Sequence, residues 1–533
     1  MKKLLTALLC LLALAARAQD KPRLSDELWY WAMARGSLSS GTYAPFWFTA
    51  NQHGLSTPNT NSGLLDVGVS TFHPRRFLEN NDDWRLGYGL EVATPFGMDS
   101  HFVLQQLYGE LQWKHYLRLC LGQKERWSEV GSGPSMSTGG LTTGTNARPL
   151  PEVRLETPGF IPIPGTKGWL GIHARMAFGW FTDNGWQRQF TSGSTTKYTA
   201  NSRYHTKALF FQIGNWDNKF PFVANFGMEM STQFGGEAWN LMRSLNSEGG
   251  GTYYNEKIAS GPKAYWHALI PGGSDSNDGA FGNRSGNHLG SWHASLFWKG
   301  NDTGWNASVY MEHFFEDQSQ MFLQYPWRDM LVGVHIGLPR EVFRNIITDA
   351  TYEYLGTKDQ SGPVYHDATP TLPEQISAVD EYYNNHIYGA WQHAGFVMGN
   401  PLLLSPIYNL FGRNEIYVYH NRIKAHHVGL RGEPSSFLSW RVLYTHEKSW
   451  GTYQRPLVDP QLGNFLLAEV TCKPFIGTGI RAKSLRGQKT LKALRGLSVS
   501  LAYGHNSGKL LGRSNGAMLT IAYLNSFDKR FER

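Results

Sequence analysis

The stretch STGGLTTGTNARPLPEVRL at residues 137–155 is where chemistry first suggests itself. It carries glycines at 139, 140 and 144, hydroxyls between them, and the guanidinium groups of Arg148 and Arg154. Backbone N–H groups of a glycine-rich turn can gather around an anion, and an arginine fork matches a carboxylate or a phosphate. A phosphate loop, however, needs a lysine followed by serine or threonine at the opening of a helix, and neither stands here. Prolines at 149, 151, 158, 162 and 164 follow, and each lacks the N–H that a central strand must donate. The segment therefore reads as an ordered connection that stays out of the sheet until a strand starts near Trp169. Arg148 and Arg154 either meet an acidic ligand or clamp onto Glu152 and Glu156.

The other groupings with chemical potential are few. GNHLGSWHAS (286–295) brings together Asn287, His288, Ser291 and His293 in the manner of a hydrolase, although a triad is defined by spatial geometry rather than spacing. No G-x-S-x-G or H-E-x-x-H motif is present. His426 and His427 are neighbours, and neighbours on a strand point to opposite faces, so no metal site is expected and no cofactor is implied. Two loops concentrate aromatic and polar groups. GTYYNEKIASGPKAYWHALIPGG (251–273) offers Tyr253, Tyr254, Trp266 and His267, and DEYYNNHIYGAWQHAG (380–395) offers Tyr382, Tyr383, His386 and Trp391. Rings of this kind stack on the apolar faces of sugars, or pack the loops against each other.

The elements that position these loops follow a period of two. In WLGIHARMAFGWF (169–181) Leu170, Ile172, Ala174, Met176, Phe178 and Trp180 fall on one face, and Gly171, His173, Arg175, Ala177 and Gly179 on the other, which a helix cannot do. LGYGLEVAT, MLVGVHIGL and LSVSLAYG repeat the pattern. The second face mixes glycine, alanine, histidine, arginine and glutamate, which suits the interior of a wide barrel better than the outside of a soluble sandwich. Trp169, Trp180 and Phe181 resemble interfacial girdles. Charged residues make up 17% and aromatics 14% of the 533 residues, with 58 glycines, few charges for a soluble protein of this length.

The chain opens MKKLLTALLCLLALAARAQD, with an apolar run from Leu4 to Ala16 and an A-x-A site, so residues 1–18 read as a secretory signal peptide. Cys10 as a lipoprotein acceptor fits less well, because the apolar run continues past it. Beyond the leader no run reaches the length of a membrane helix. The segmentation expected is a signal peptide (1–18), an N-terminal segment leading into the barrel (19–60) and the barrel itself (61–533), all-β and antiparallel, with long extracellular loops. Irregular stretches at 131–168, 184–204, 237–290 and 356–414 are where recognition is expected. The net charge of +8 is a mild bias, with no lysine–arginine block pointing to nucleic acid. Cys120 and Cys472 fall on opposite faces of their strands, so no disulfide joins them.

An ordered series of segments resembles the capsule assembly Wzi family: WYWAMARG (29–36), SGTYAPFWFTANQHG (40–54), QQLYGELQW (105–113), STGGLTTGTNARPLPEVRL (137–155), IPIPGTKGWLGIHARMAFGWFTDN (161–184), YHTKALFFQIGN (204–215), FGGEAW (234–239), EYYNNHIYGAWQHAGFVMGNPLLLSP (381–406) and NRIKAHHVGLRG (421–432). The resemblance implies a barrel of about eighteen strands that binds capsular or other surface polysaccharide, without a reaction. The partners it implies are that polysaccharide and outer-membrane lipid, for a monomeric protein. One branch of the family closes the periplasmic mouth with a helical bundle, and no amphipathic helix for it stands here. The tail DKRFER departs from the aromatic ending usual in such barrels. A porin or transport channel is the alternative function, and an outer-membrane hydrolase a third.

Overall fold

The computed structural model describes residues 28–71, 84–98, 100–128, 135–192, 194–215, 220–245, 251–270, 286–300, 304–316, 329–366, 376–410, 414–476 and 494–526. Residues 1–18, read from the sequence as a signal peptide, and the DKRFER tail lie outside them. Eighteen antiparallel strands form a closed wall. In chain order they are β1 (Trp29–Ser40), β2 (Asn61–Ser70), β3 (Trp84–Phe96), β4 (Val103–Trp113), β5 (Leu117–Gln123), β6 (Pro151–Glu156), β7 (Leu170–Trp180), β8 (Arg203–Ile213) and β9 (Phe222–Phe234). They continue with β10 (Asn287–Lys299), β11 (Asn306–Glu316), β12 (Met330–Gly337), β13 (Asp349–Gly356), β14 (Ile423–Ser435), β15 (Leu438–Gly451), β16 (Pro456–Cys472), β17 (Leu497–Gly508) and β18 (Ser514–Ser526). Each pairs with its sequence neighbours, and β1 closes on β18 from Trp29↔Ser526 to Ser40↔Asn515, which leaves no open edge.

Three features differ from the sequence reading. Trp29–Ser40, expected in the segment leading into the barrel, is itself a wall strand. Pro151–Glu156, expected in the connection, is another: Pro151 occupies its first position, the one place a wall strand tolerates a residue without an N–H. Phe181, expected in the outer girdle, turns inward and lies 6.2 Å from Trp391.

The alternation holds throughout. On β7, Leu170, Met176 and Trp180 are exposed outward, whereas Gly171, Arg175, Ala177 and Gly179 are buried toward the lumen. Cys120 is buried on the lumen side and Cys472 lies half-buried among the outward residues, both as free thiols. His426 is exposed outside and His427 buried inside. One end of the wall carries Trp84 against Trp113 and Trp169 against Phe220, a ring girdle beside short turns such as 114–116 and 436–437. The long connections 124–150, 181–202, 235–286 and 357–422 all leave from the opposite, extracellular end.

A wall of this size encloses room for an aqueous channel, so the contents of the lumen decide what the protein can do. Residues 41–60, with the short helix Phe46–Thr49, fold inward from the extracellular end, as do 135–150 and 382–410. They merge with the wall into one apolar cluster that includes Phe46, Trp47, Leu141, Tyr382, Trp391 and Phe465. Phe46 stacks on wall Phe465 at 4.5 Å and Trp47 packs against wall His427 at 5.1 Å.

The lumen-facing glycines have a packing reason. Tyr310 of β11 is registered opposite Gly333 of β12, and a Cβ on Gly333 would lie 2.2 Å from its ring. Tyr108 lies over Gly89 in the same way. The ring fills the space above the missing side chain and is thereby aimed along the wall. Gly333→Leu should displace Tyr310 and destabilise the barrel by about 1–3 kcal/mol, read as a lower unfolding midpoint in detergent. An unchanged midpoint would mean that the ring is not fixed by this contact.

Candidate functional site

Three strands separated by one strand each present a buried carboxylate to the lumen: Glu229 on β9, Glu312 on β11 and Glu353 on β13. The alternation forces this, since each occupies an inward position between outward apolar or aromatic neighbours. Burying such a group is costly unless hydrogen bonds surround it, and the segment 137–143 supplies them. Glu353 accepts from the Ser137 hydroxyl (2.6 Å), the Thr138 N–H (2.7 Å), the Thr138 hydroxyl (2.8 Å) and the Tyr310 hydroxyl (2.6 Å). Glu312 accepts from the N–H groups of Leu141 (2.7 Å) and Thr142 (3.2 Å) and from the Ser291 hydroxyl (2.6 Å). Glu229 accepts from the Thr143 hydroxyl at 3.1 Å and from the Arg175 guanidinium. Next to it, His293 Nε2 lies 3.5 Å from Glu229 and 3.9 Å from Glu312. The glycine-rich segment is thus an anion cradle whose anions are the wall's own carboxylates.

Backbone freedom makes the cradle possible. Gly139 has φ +102°, a region closed to most side chains. A Cβ on Gly399 would lie 2.1 Å from both the Leu141 carbonyl and the Tyr383 hydroxyl.

A second layer locks the first. Trp391 donates Nε1–H to the Thr142 carbonyl (3.1 Å), the Tyr383 hydroxyl donates to the Leu141 carbonyl, and Asn400 donates to the Gly139 carbonyl (2.6 Å). Asn51 reaches the Thr138 carbonyl at 3.0 Å. Burial raises the hydroxyls of Tyr382 and Tyr383 well above the usual tyrosine range, so both stay protonated donors. Burial lowers His393, which donates Nδ1–H to the Arg148 carbonyl (3.0 Å) as a neutral ring.

These positions revise the residues expected from sequence. Tyr382, Tyr383 and Trp391 are fully buried and offer no ring face to a ligand; they form the core of the plug. Arg154 pairs with Glu152 at 2.7 Å and faces Glu156 at 3.6 Å, which is the clamp reading. Arg148 Nε donates to the Gly54 carbonyl at 3.2 Å. Trp266 is 59% exposed on the helix Pro262–Leu269. That helix lies against the outer face of the wall, where its neighbour Tyr265 contacts Phe178 and Phe234 and its C-terminal carbonyls take the Lys207 ammonium. Trp266 and His267 therefore sit beside the barrel rather than over its mouth. Ser291 is fully buried and donates to Glu312, an arrangement unlike a serine nucleophile poised on a histidine.

Tyr253, Tyr254 and His386 do lie on the outside of the loops, within a connected deck. Residues 195–197 tie its pieces together. Thr195 meets the Tyr253 hydroxyl (3.2 Å), Thr196 donates to the Asn414 carbonyl (3.2 Å), and Lys197 donates to the carbonyls of Asn385 (2.7 Å) and His386 (3.1 Å). Desolvation lowers the Lys197 ammonium to about 8. Tyr198 and Trp239 stack at 6.0 Å with only 4° between their planes. Arg455, exposed, stands 4.8 Å from the Tyr417 ring and 5.1 Å from that of Tyr419, and pairs with Glu415 at 2.6 Å.

Sequence reasoning missed Glu229, Glu312 and Glu353. Their signal was available in MEM, YMEHF and TYEYL, where one acid interrupts an apolar or aromatic run at the lumen-facing register. Trp239, Tyr417, Tyr419 and Arg455 carried no such signal.

No protein family matches the chain, and no curated protein sequence does. Among solved structures it is similar to Wzi of Escherichia coli, described as an outer-membrane protein involved in group 1 capsule assembly and a carbohydrate-binding β-barrel. That match has TM-score 0.51 and 14% identity over 93% of this chain and 84% of that one. It also aligns with OpdK of Pseudomonas aeruginosa (TM-score 0.44, 9% identity, 94% and 100% of the two chains) and OprD of the same organism (0.41, 8%, 96% and 96%). The likeness to Wzi is one of fold: a closed antiparallel barrel of the outer-membrane kind.

At the rim of the plug, Asp329 accepts from the Tyr382 hydroxyl (3.1 Å) and the Asp359 N–H (3.0 Å). Burial raises its carboxyl from 3.8 to about 6. Between those two values the folded protein holds more protons than the unfolded chain, so stability should fall as pH rises from about 4 to about 6, by at most about 3 kcal/mol. Asp329→Asn should reduce the slope of unfolding midpoints measured across the window. An identical slope in the variant would exclude Asp329 as its source.

Proposed function

We propose that the protein is a non-enzymatic, closed outer-membrane barrel that binds surface polysaccharide on its extracellular deck and helps hold it at the cell. The observation that carries this reading is the rigid deck of rings and charges standing above a filled lumen. Stacked Tyr198 and Trp239, exposed Tyr253 and Tyr254, and Arg455 beside Tyr417 and Tyr419 combine flat apolar faces with a guanidinium and a carboxylate. That is the chemistry by which proteins grip pyranose rings and uronate groups. The loops that carry it are tied to each other and to the plug, so binding orders little that is not already ordered. Likeness in fold to a carbohydrate-binding barrel supports the same reading.

The alternative, a solute channel, rests on the barrel's width. It requires the cradle on Glu229, Glu312 and Glu353 to leave a water-filled path around it, whereas the residues of the plug core are packed against the wall.

Deletion of the protein should raise the fraction of capsular polysaccharide shed into the medium. Purified protein should bind that polysaccharide, and Trp239→Ala combined with Arg455→Ala should weaken the binding by roughly 10-fold with the unfolding midpoint unchanged. Full retention of polysaccharide after deletion would remove the attachment role. Undiminished binding by the double variant would remove these residues from the site.

A further inference from the structure

The outer surface of β13–β15 carries a feature that polysaccharide binding on the deck does not use. Lys424 of β14 is registered directly opposite Lys448 of β15, and both side chains are exposed on the outside of the wall. Like charges placed opposite each other across a ladder are destabilising. Two more cations gather at the same place: Lys358, just past the end of β13, and Arg422, just before β14. Trp450, two residues beyond Lys448 on the same face, has the Lys448 ammonium 5.2 Å and the Lys358 ammonium 5.0 Å from its ring centre. Arg422 lies 3.7 Å from the Tyr453 ring and donates Nε–H to the Lys358 carbonyl at 3.0 Å.

No carboxylate among the described residues forms an ion pair with any of these four cations. The nearby Asp359 is bound through its own backbone to Asp329 and to the Tyr453 hydroxyl.

The location gives the patch its meaning. It stands at the extracellular end, where Gly356, Ile423 and Gly451 mark the strand ends. Directly below it on the same outer face lie exposed Tyr352, Val428 and Tyr444, the band that meets lipid chains. Aromatic rings with snorkelling lysines at this level mark the headgroup layer. Four cations without ion-pair partners among the described residues are complementary there to anions of that layer.

We propose that Lys358, Lys424 and Lys448, arrayed around Trp450 with Arg422 beside them, dock a phosphorylated lipid headgroup of the outer leaflet. The phosphates offset the repulsion between Lys424 and Lys448, and the acyl chains run down over Tyr352, Val428 and Tyr444. The site is separate from the deck, so its test stands apart from polysaccharide binding.

The full-length barrel would be purified in detergent and titrated with diphosphorylated lipid A, with bound lipid counted by native mass spectrometry. Each basic residue near an anionic lipid surface is worth about a fivefold change in affinity, so Lys358→Gln/Lys424→Gln/Lys448→Gln should bind roughly 100-fold more weakly. Wild-type protein given lipid A stripped of its phosphates should bind as weakly as that variant. Should the triple variant fold poorly, Lys424→Gln alone should show about a fivefold loss. Equal retention of lipid A by the variants, equal binding of the dephosphorylated lipid, or displacement of lipid A from the wild type by soluble acidic polysaccharide would each overturn the proposal.

Discussion

The structure depends on three buried carboxylates. Glu229, Glu312 and Glu353 point into a barrel wide enough to conduct, and each finds hydrogen-bond donors on one glycine-rich segment as well as on the wall. Hydrogen bonds to buried carboxylates are costly to leave unmade, so the donors of the segment specify one position for it. Everything packed on that segment inherits its place. Trp391, Tyr383 and Asn400 are oriented by the carbonyls that Thr142, Leu141 and Gly139 turn away from the wall. The loop from 51 to 54 holds the same segment from its other side.

On the proposed reading the extracellular loops form a lid rather than the border of a passage, with their lower side packed into the core shared with the wall. Lys197 spends its donors within this lid, joining the 384–386 turn to the 195–197 segment. Tyr253, Tyr254 and Arg455 are left exposed on this support, with the half-buried Tyr198–Trp239 stack in the same deck. Affinity at such a surface comes from rings and charges held in advance, which favours a long repetitive ligand that touches several of them at once.

Much of the wall was legible in the chain. Period-two alternation located strands such as Leu170–Trp180 and Met330–Gly337 and assigned their faces, because side-chain direction in a strand depends only on parity. Fold and wall size followed from that and from the family resemblance. Boundaries were less legible where special residues intervened: Pro151 hid β6, since a proline at a first strand position looks the same in sequence as one in a loop. The site was the least legible part. Aromatic content marked Tyr382, Tyr383 and Trp391 for a ligand, yet a ring that stacks on sugar and a ring that fills a plug have the same composition. Only the third dimension shows that Leu141 and Thr142 already occupy their polar atoms. Conversely, Trp239 and Arg455 gained importance from loops distant in sequence that fold beside each other.

The most direct test of this account is electrical. Single-channel recording in planar bilayers should show wild-type protein without a stable open state, and Glu312→Ala combined with Glu353→Ala should release the segment 137–143 and yield discrete conducting openings. A steady large conductance from wild-type protein, unchanged in the double variant, would contradict the claim that these carboxylates keep the lumen closed.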